Sequence, residues 1–168
     1  MPVDGPRECL YAPWRFAYVS SHDPAADCIF CAAAAAGGER SLTLHRGERT
    51  FALLNRFPYT SGHAMVAPLA HVAEFAALDG ETLTELMVTA RRLVAALTEV
   101  YRPHGFNIGF NLGEAAGAGV LDHLHLHVVP RWRGDTNFMS VSGGTRVLPE
   151  DLEVTRDKLV RALEGGRG

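Results

Sequence analysis

The chain has 168 residues, a formal net charge of −3, 47% hydrophobic and 21% charged residues. Those values suit one globular domain able to bury its own core, and they argue against a disordered chain. A weakly acidic chain is not expected to bind nucleic acid generally, and without an apolar run of about 18 residues it is not expected to span a membrane.

Residues 1–40 read as mostly irregular, with Pro2, Pro6, Pro13 and Pro24. No basic segment followed by an apolar stretch marks a secretory signal. The cysteines are Cys9, Cys28 and Cys31; their odd number and the close Cys28-Ile29-Phe30-Cys31 spacing fit a reducing cytoplasm better than a disulfide framework. The alanine run from Ala32 predicts a short helix ended by Gly37-Gly38. A hairpin follows: Leu42–Leu44, a turn at Arg46-Gly47-Glu48, then Thr50–Asn55. Pro58–Gly62 reads as a loop and His63–Pro68 as a third strand. Leu83, Leu86, Met87, Ala90, Val94, Leu97 and Tyr101 recur at helical spacing, with Asp79 as N-cap and Pro103 just past the end. Phe106, Ile108 and Phe110 alternate with polar or small residues and predict a fourth strand. After the small-residue loop Gly113–Gly119 comes a fifth strand, stopping at Pro130. Pro149–Leu163 predicts a second helix, and the Gly165–Gly168 tail is expected to be loose. The pattern is α+β: five strands with one long helix between the third and fourth.

The fifth strand carries the most chemistry. In His123-Leu124-His125-Leu126-His127-Val128-Val129-Pro130 the histidines alternate with apolar residues. On a strand the three imidazoles share one face, about 6–7 Å apart, while Leu124, Leu126 and Val128 face a core. Imidazole is suited to act as nucleophile, acid or metal ligand near neutral pH. Burying several without purpose would cost desolvation, which argues against a purely structural row. The loop Asn111–Gly119 just before it is glycine-rich, so its N–H groups can approach an anion closely. Cys28 and Cys31 have the spacing of two thiolates on one tetrahedral zinc; two buried free thiols is the alternative. His22 and His45 fall in loop or turn surroundings, and His104 beside Pro103 reads as a turn residue. Trp14 reads as packing; Trp132 and Phe138 either pack or flank a base.

The His-apolar-His-apolar-His-apolar-apolar run resembles the signature of the histidine-triad superfamily of nucleotide hydrolases and transferases. Leu53-Leu54-Asn55 with Gly62-His63-Ala64-Met65-Val66-Ala67-Pro68 is similar to that family's nucleoside-binding strand and upstream histidine. Asn111 and the loop after it are similar to its phosphate loop. The resemblance covers about residues 28–133, and the continuation through Arg131-Trp132-Arg133 to Phe138 resembles a bacterial branch near diadenosine tetraphosphate phosphorylases and hydrolases. It implies one domain over 1–168: an extension at 1–27, a core at 28–133 and a second extension at 134–168. It also implies a five-stranded antiparallel sheet and a homodimer formed through the long helix and a central strand.

Residue by residue, the resemblance makes His125 the nucleophile on an α-phosphorus, forming a nucleotidyl-histidine that passes to water or phosphate. His127 and His63 would bond the phosphate and fix the imidazole tautomer. Asn55 would bind ribose hydroxyls and Asn111 ribose or phosphate, although turn or strand-end capping explains either asparagine as well. Backbone N–H groups near Gly117, Ala118 and Gly119 would hold phosphate oxygens. Many relatives place Gln-Ser or Gln-Thr where Ala118-Gly119 stands here, so polar side-chain donors are missing and the substrate is put in doubt more than the reaction. Relatives with the Cys pair complete a structural zinc site with histidines matching His71 and His123. The expected ligand is a purine nucleotide or dinucleoside polyphosphate. An adenosine phosphoramidate hydrolase and a non-catalytic nucleotide-binding protein are the alternatives. A catalytic metal at the triad is disfavoured, because the Cys pair offers a separate metal site.

Overall fold

A computed structural model describes residues 28–36, 42–135 and 150–165. The extension at 1–27 with Cys9, Trp14 and His22, the Gly37-Gly38 stop, Phe138 and Pro149 lie outside them. Among the described residues, three α-helices and five strands make an α+β fold. They are α1 (Ile29–Ala35), β1 (Thr43–Arg46), β2 (Thr50–Leu54), β3 (Ala64–Pro68), α2 (Gly80–Tyr101), β4 (Gly105–Phe110), β5 (Leu126–Arg131) and α3 (Leu152–Gly165).

The strands form one antiparallel sheet in the order β1-β2-β3-β5-β4. α2 carries the chain from β3 to the far edge, and β5 then inserts between β3 and β4. β2 and β3 are buried along their whole length. Period-two alternation explains this: their side chains enter two cores on opposite faces. Ala52, Leu54, Ala64, Val66, Leu126 and Val128 pack with Leu86, Leu93 and Leu97 of α2 and Leu159 of α3. Phe51, Leu53, Met65 and Ala67 pack with Phe30 of α1 on the other face.

Asp79 caps α2 as expected, its Oδ1 accepting from Thr82 N at 2.7 Å. The buried stripe is rotated from the expected one. Leu93 and Ala96 belong to it, whereas Met87 is 55% exposed. α1 starts at Ile29, so the helix expected from Ala32 begins inside the Cys pair. His45, expected in a turn, lies on β1, which extends through Arg46 to pair with Phe51; Arg92 Nη1 donates to its Nε2 at 2.9 Å.

The fifth strand is displaced toward its C-terminus. β3 and β4 both cease pairing with it at Leu126, so His123 and His125 precede the ladder and only His127 stands on β5. Pro130 does not end the strand. Beyond Val128 β5 has lost its β3 neighbour, so the proline's missing N–H is tolerated there. Thr60 Oγ1 donates to its carbonyl at 2.8 Å.

Candidate functional site

The imidazoles cluster alongside β3, at its entry and at the entry to β5, on the face that carries α1. Met65 lies opposite His127 in the ladder, so the α1 core and the histidines share one side of the sheet. Gly62 sets up the approach to β3. Its φ is +77°, and a Cβ there would lie 2.7 Å from Leu97 Cδ2. Only glycine meets both conditions at low cost. His63, the next residue, is wholly buried.

Backbone groups assign the ring tautomers. Tyr59 N–H donates to His63 Nδ1 at 3.1 Å, so that nitrogen carries the lone pair. His63 Nε2 then carries the hydrogen and donates to His127 Nδ1 at 3.0 Å. His127 Nε2 in turn is protonated; Asn111 Nδ2 lies 3.5 Å from it, so the amide pairs with that N–H only when turned to present its Oδ1. His125 Nδ1 donates to the His123 carbonyl at 2.9 Å, which leaves the in-plane lone pair on Nε2. The His125 ring meets His127 edge-on, centroids 4.9 Å apart. Burial holds the pKa of His125 and of His123 below the ordinary histidine value, favouring neutral rings.

His123 faces elsewhere. Its Nε2 donates to Pro68 O at 3.0 Å, so Nδ1 holds the lone pair. Nδ1 lies 3.1 Å from Cys28 Sγ and 3.6 Å from Cys31 Sγ, while His71 Nδ1 lies 3.4 Å from Cys31 Sγ. Zn–S near 2.3 Å and Zn–N near 2.0–2.1 Å give a tetrahedron with S···N edges of about 3.5 Å. The four donor atoms, all within 4.8 Å of one another, fit a divalent zinc-like cation, and the Pro68 bond to the far nitrogen is the usual support for a ligating imidazole. Burial and the neighbouring Cys28 push the Cys31 thiol up, the expected state of paired thiols before a cation draws off their protons.

The remaining expected residues are partly committed. Asn55 Oδ1 accepts from Phe57 N at 2.9 Å, a capping turn, while its Nδ2 lies 3.4 Å from His63 Nδ1. In the glycine loop, Gly117 N–H donates to Glu114 O and Ala118 N–H to Gly113 O. Of the three amides expected to face a phosphate, those two are engaged inside the loop and Gly119 makes no such bond. The side chains of His63, His127 and Asn111 are brought together, with His125 against His127. The backbone groups that orient them, the donor Tyr59 N–H and the acceptor carbonyls of His123 and Pro68, carried no sequence signal, because every residue has a backbone carbonyl and almost every one an amide.

The HIT domain matches residues 39–134, more than half of the chain. The chain is 40% identical over 155 residues to the "AP-4-A phosphorylase" of Mycobacterium tuberculosis, covering 88% of this chain and 80% of that one. A solved zinc-bound histidine triad family protein from Mycobacterium smegmatis aligns with TM-score 0.67 and 31% identity, over 82% of this chain and 94% of that one. A hypothetical histidine triad nucleotide-binding protein from Sulfolobus tokodaii aligns with TM-score 0.66 and 26% identity, over 82% and 93%. The chain belongs to the histidine-triad family, in the bacterial branch resembling AP-4-A phosphorylase, and these likenesses support a nucleotide-processing activity.

Proposed function

We propose that the chain cleaves the phosphoric anhydride of dinucleoside polyphosphates such as diadenosine tetraphosphate through a nucleotidyl-histidine. The 2.9 Å bond from His125 Nδ1 to the His123 carbonyl carries this reading, because it leaves Nε2 as the nucleophilic lone pair. His125 Nε2 attacks the α-phosphorus, an N–P bond forms, and the P–O bond to the polyphosphate breaks with its electron pair on the leaving oxygen. His127, with Nδ1 accepting from His63, offers its Nε2–H to that oxygen. Gly119 N–H and Asn111 bind phosphate oxygens, and Asn55 binds ribose. Water or phosphate then attacks the N–P bond and frees His125. The name of the Mycobacterium tuberculosis relative favours phosphate as acceptor.

Cys28, Cys31, His71 and His123 would hold zinc as a closed Cys2His2 site, tying α1 to the triad segment and leaving no open position for reaction. Residues 28–133 form the working core of a single cytoplasmic domain. A homodimer would form through the long helix α2 and a central strand.

Incubation with diadenosine tetraphosphate should yield AMP and ATP in water, and ADP and ATP with phosphate, identified by mass. His125→Ala should abolish both; full activity in that variant overturns the mechanism. Ala118-Gly119, which offers no polar side chain, favours a second reading, nucleotide binding without turnover. Tight binding with no trapped nucleotidyl-histidine would select it.

A further inference from the structure

Phe30 is neither an imidazole of the row nor a candidate metal donor, yet it touches both groups. It sits on α1 between Cys28 and Cys31 and is 1% exposed. Its ring stacks on that of His125, with centroids 4.7 Å apart and planes 29° apart. The same ring meets His123 at 5.1 Å. The bond from His125 Nδ1 to the His123 carbonyl fixes one nitrogen but leaves the ring able to pivot about the N···O line. The Nε2 lone pair lies in the ring plane, so a pivot would swing it away from a phosphorus atom. A flat aromatic face against the imidazole opposes that motion, and offset stacking at this separation is attractive in itself. Phe30 also belongs to the buried cluster of Phe51, Leu53, Met65 and Ala67, so the ring has little room to yield.

We infer that Phe30 is a positioning residue for His125, setting the plane of its imidazole and thereby the direction of the Nε2 lone pair. Cys28 and Cys31 flank Phe30 at both ends of one helical turn, so whatever holds the two thiols also seats the ring. The inference rests on His125 being the nucleophile.

The test compares Phe30→Leu with Phe51→Leu in the full chain. Both remove one ring from the same buried cluster, but Phe51 is not in the site. Bound zinc per chain, melting temperature, kcat and KM on diadenosine tetraphosphate with phosphate, and the ¹⁵N shifts of the His125 ring are measured for each. Both variants should melt lower and keep their zinc. Only Phe30→Leu should lose kcat, about ten- to a hundredfold at unchanged KM. Only in that variant should the His125 ring signals shift and broaden, as the ring plane loosens while the Nδ1–H bond to the His123 carbonyl is kept. Equal kcat in the two variants, or His125 signals in Phe30→Leu that match Phe51→Leu, overturns the inference. So does a loss of kcat that merely follows loss of zinc. If Phe30→Leu fails to fold, Phe30→Met keeps the volume without the flat face and is read in the same way. The ring signals need no turnover, so they decide the role of Phe30 even if the wild-type chain proves inactive and the proposed reaction fails.

Discussion

Three imidazoles at the site have one nitrogen committed to the main chain: His63 to Tyr59 N–H, His125 to the carbonyl of His123, and His123 to that of Pro68. The main chain thus decides which nitrogen of each ring is basic, and the side chains relay that choice. His127 receives its tautomer second-hand through His63. Replacing His127 by Gln should therefore lower kcat by about 10²–10⁴-fold, the ordinary worth of a positioned proton donor. His125 would remain able to form the covalent adduct slowly. Acid quenching with α-labelled substrate checks this: His127→Gln should still trap label on protein, whereas His125→Ala should trap none.

At the scale of elements, one carboxylate ties the first hairpin to the long helix. Glu85 of α2 accepts from Thr50 N at 2.9 Å, Thr50 Oγ1 at 2.8 Å and Arg49 N at 3.1 Å. Burial works against its charge, but the bonds from Thr50 and Arg49 outweigh it and hold the pKa below 4.5. A carboxyl with a depressed folded pKa stabilises fully above its unfolded value, and that contribution is lost as pH falls through the folded value. Glu85→Gln should therefore cost about 1 kcal/mol at neutral pH, the group being partly solvated. The difference from wild type should shrink in melts taken below the carboxylate range. Gly62→Ala should also destabilise, since both its positive φ and Leu97 oppose a Cβ, and should lower activity by shifting His63. The elements themselves were legible. Alternation exposed the strands, a 3.6-residue period exposed α2, and Asp79 marked its start. The limits of β5 were not legible, because they depend on where β3 and β4 stop pairing. Nor was the rotation of α2, since Met87 and Leu93 are equally apolar and only packing against the sheet distinguishes them. The two cysteines of the metal-donor cluster were legible from their spacing, its histidines only through family resemblance. Nothing between Cys31 and His71 in the chain says that they meet at 3.4 Å.

The molecule as a whole is a sheet with two unequal sides. Long helices and the larger aliphatic core occupy one side, while the smaller core, the four candidate metal donors and the imidazoles occupy the other. Among the described residues no helix is long and apolar enough to cross a membrane. Stripping metal from the loaded protein with a strong chelator should lower Tm, by about 2–4 °C for each kcal/mol of lost stability. Cys28→Ser should reproduce most of that loss without chelator; an unchanged Tm in both would remove the metal from the account of stability. The burial of β2 and β3 on both faces also bears on how such a chain can diverge. The two strands act as a partition, with alternate residues answering to separate demands. Even-numbered positions 52, 54, 64 and 66 serve the helical side, and odd-numbered 51, 53, 65 and 67 the side of the chemistry. Lineages could therefore rework the outer face of α2, and whatever meets it, with little mutational interference from the reaction. A saturation scan of the two strands should sort accordingly: tolerance at the even-numbered positions would follow abundance alone, and at Met65, which lies opposite His127, would follow turnover as well.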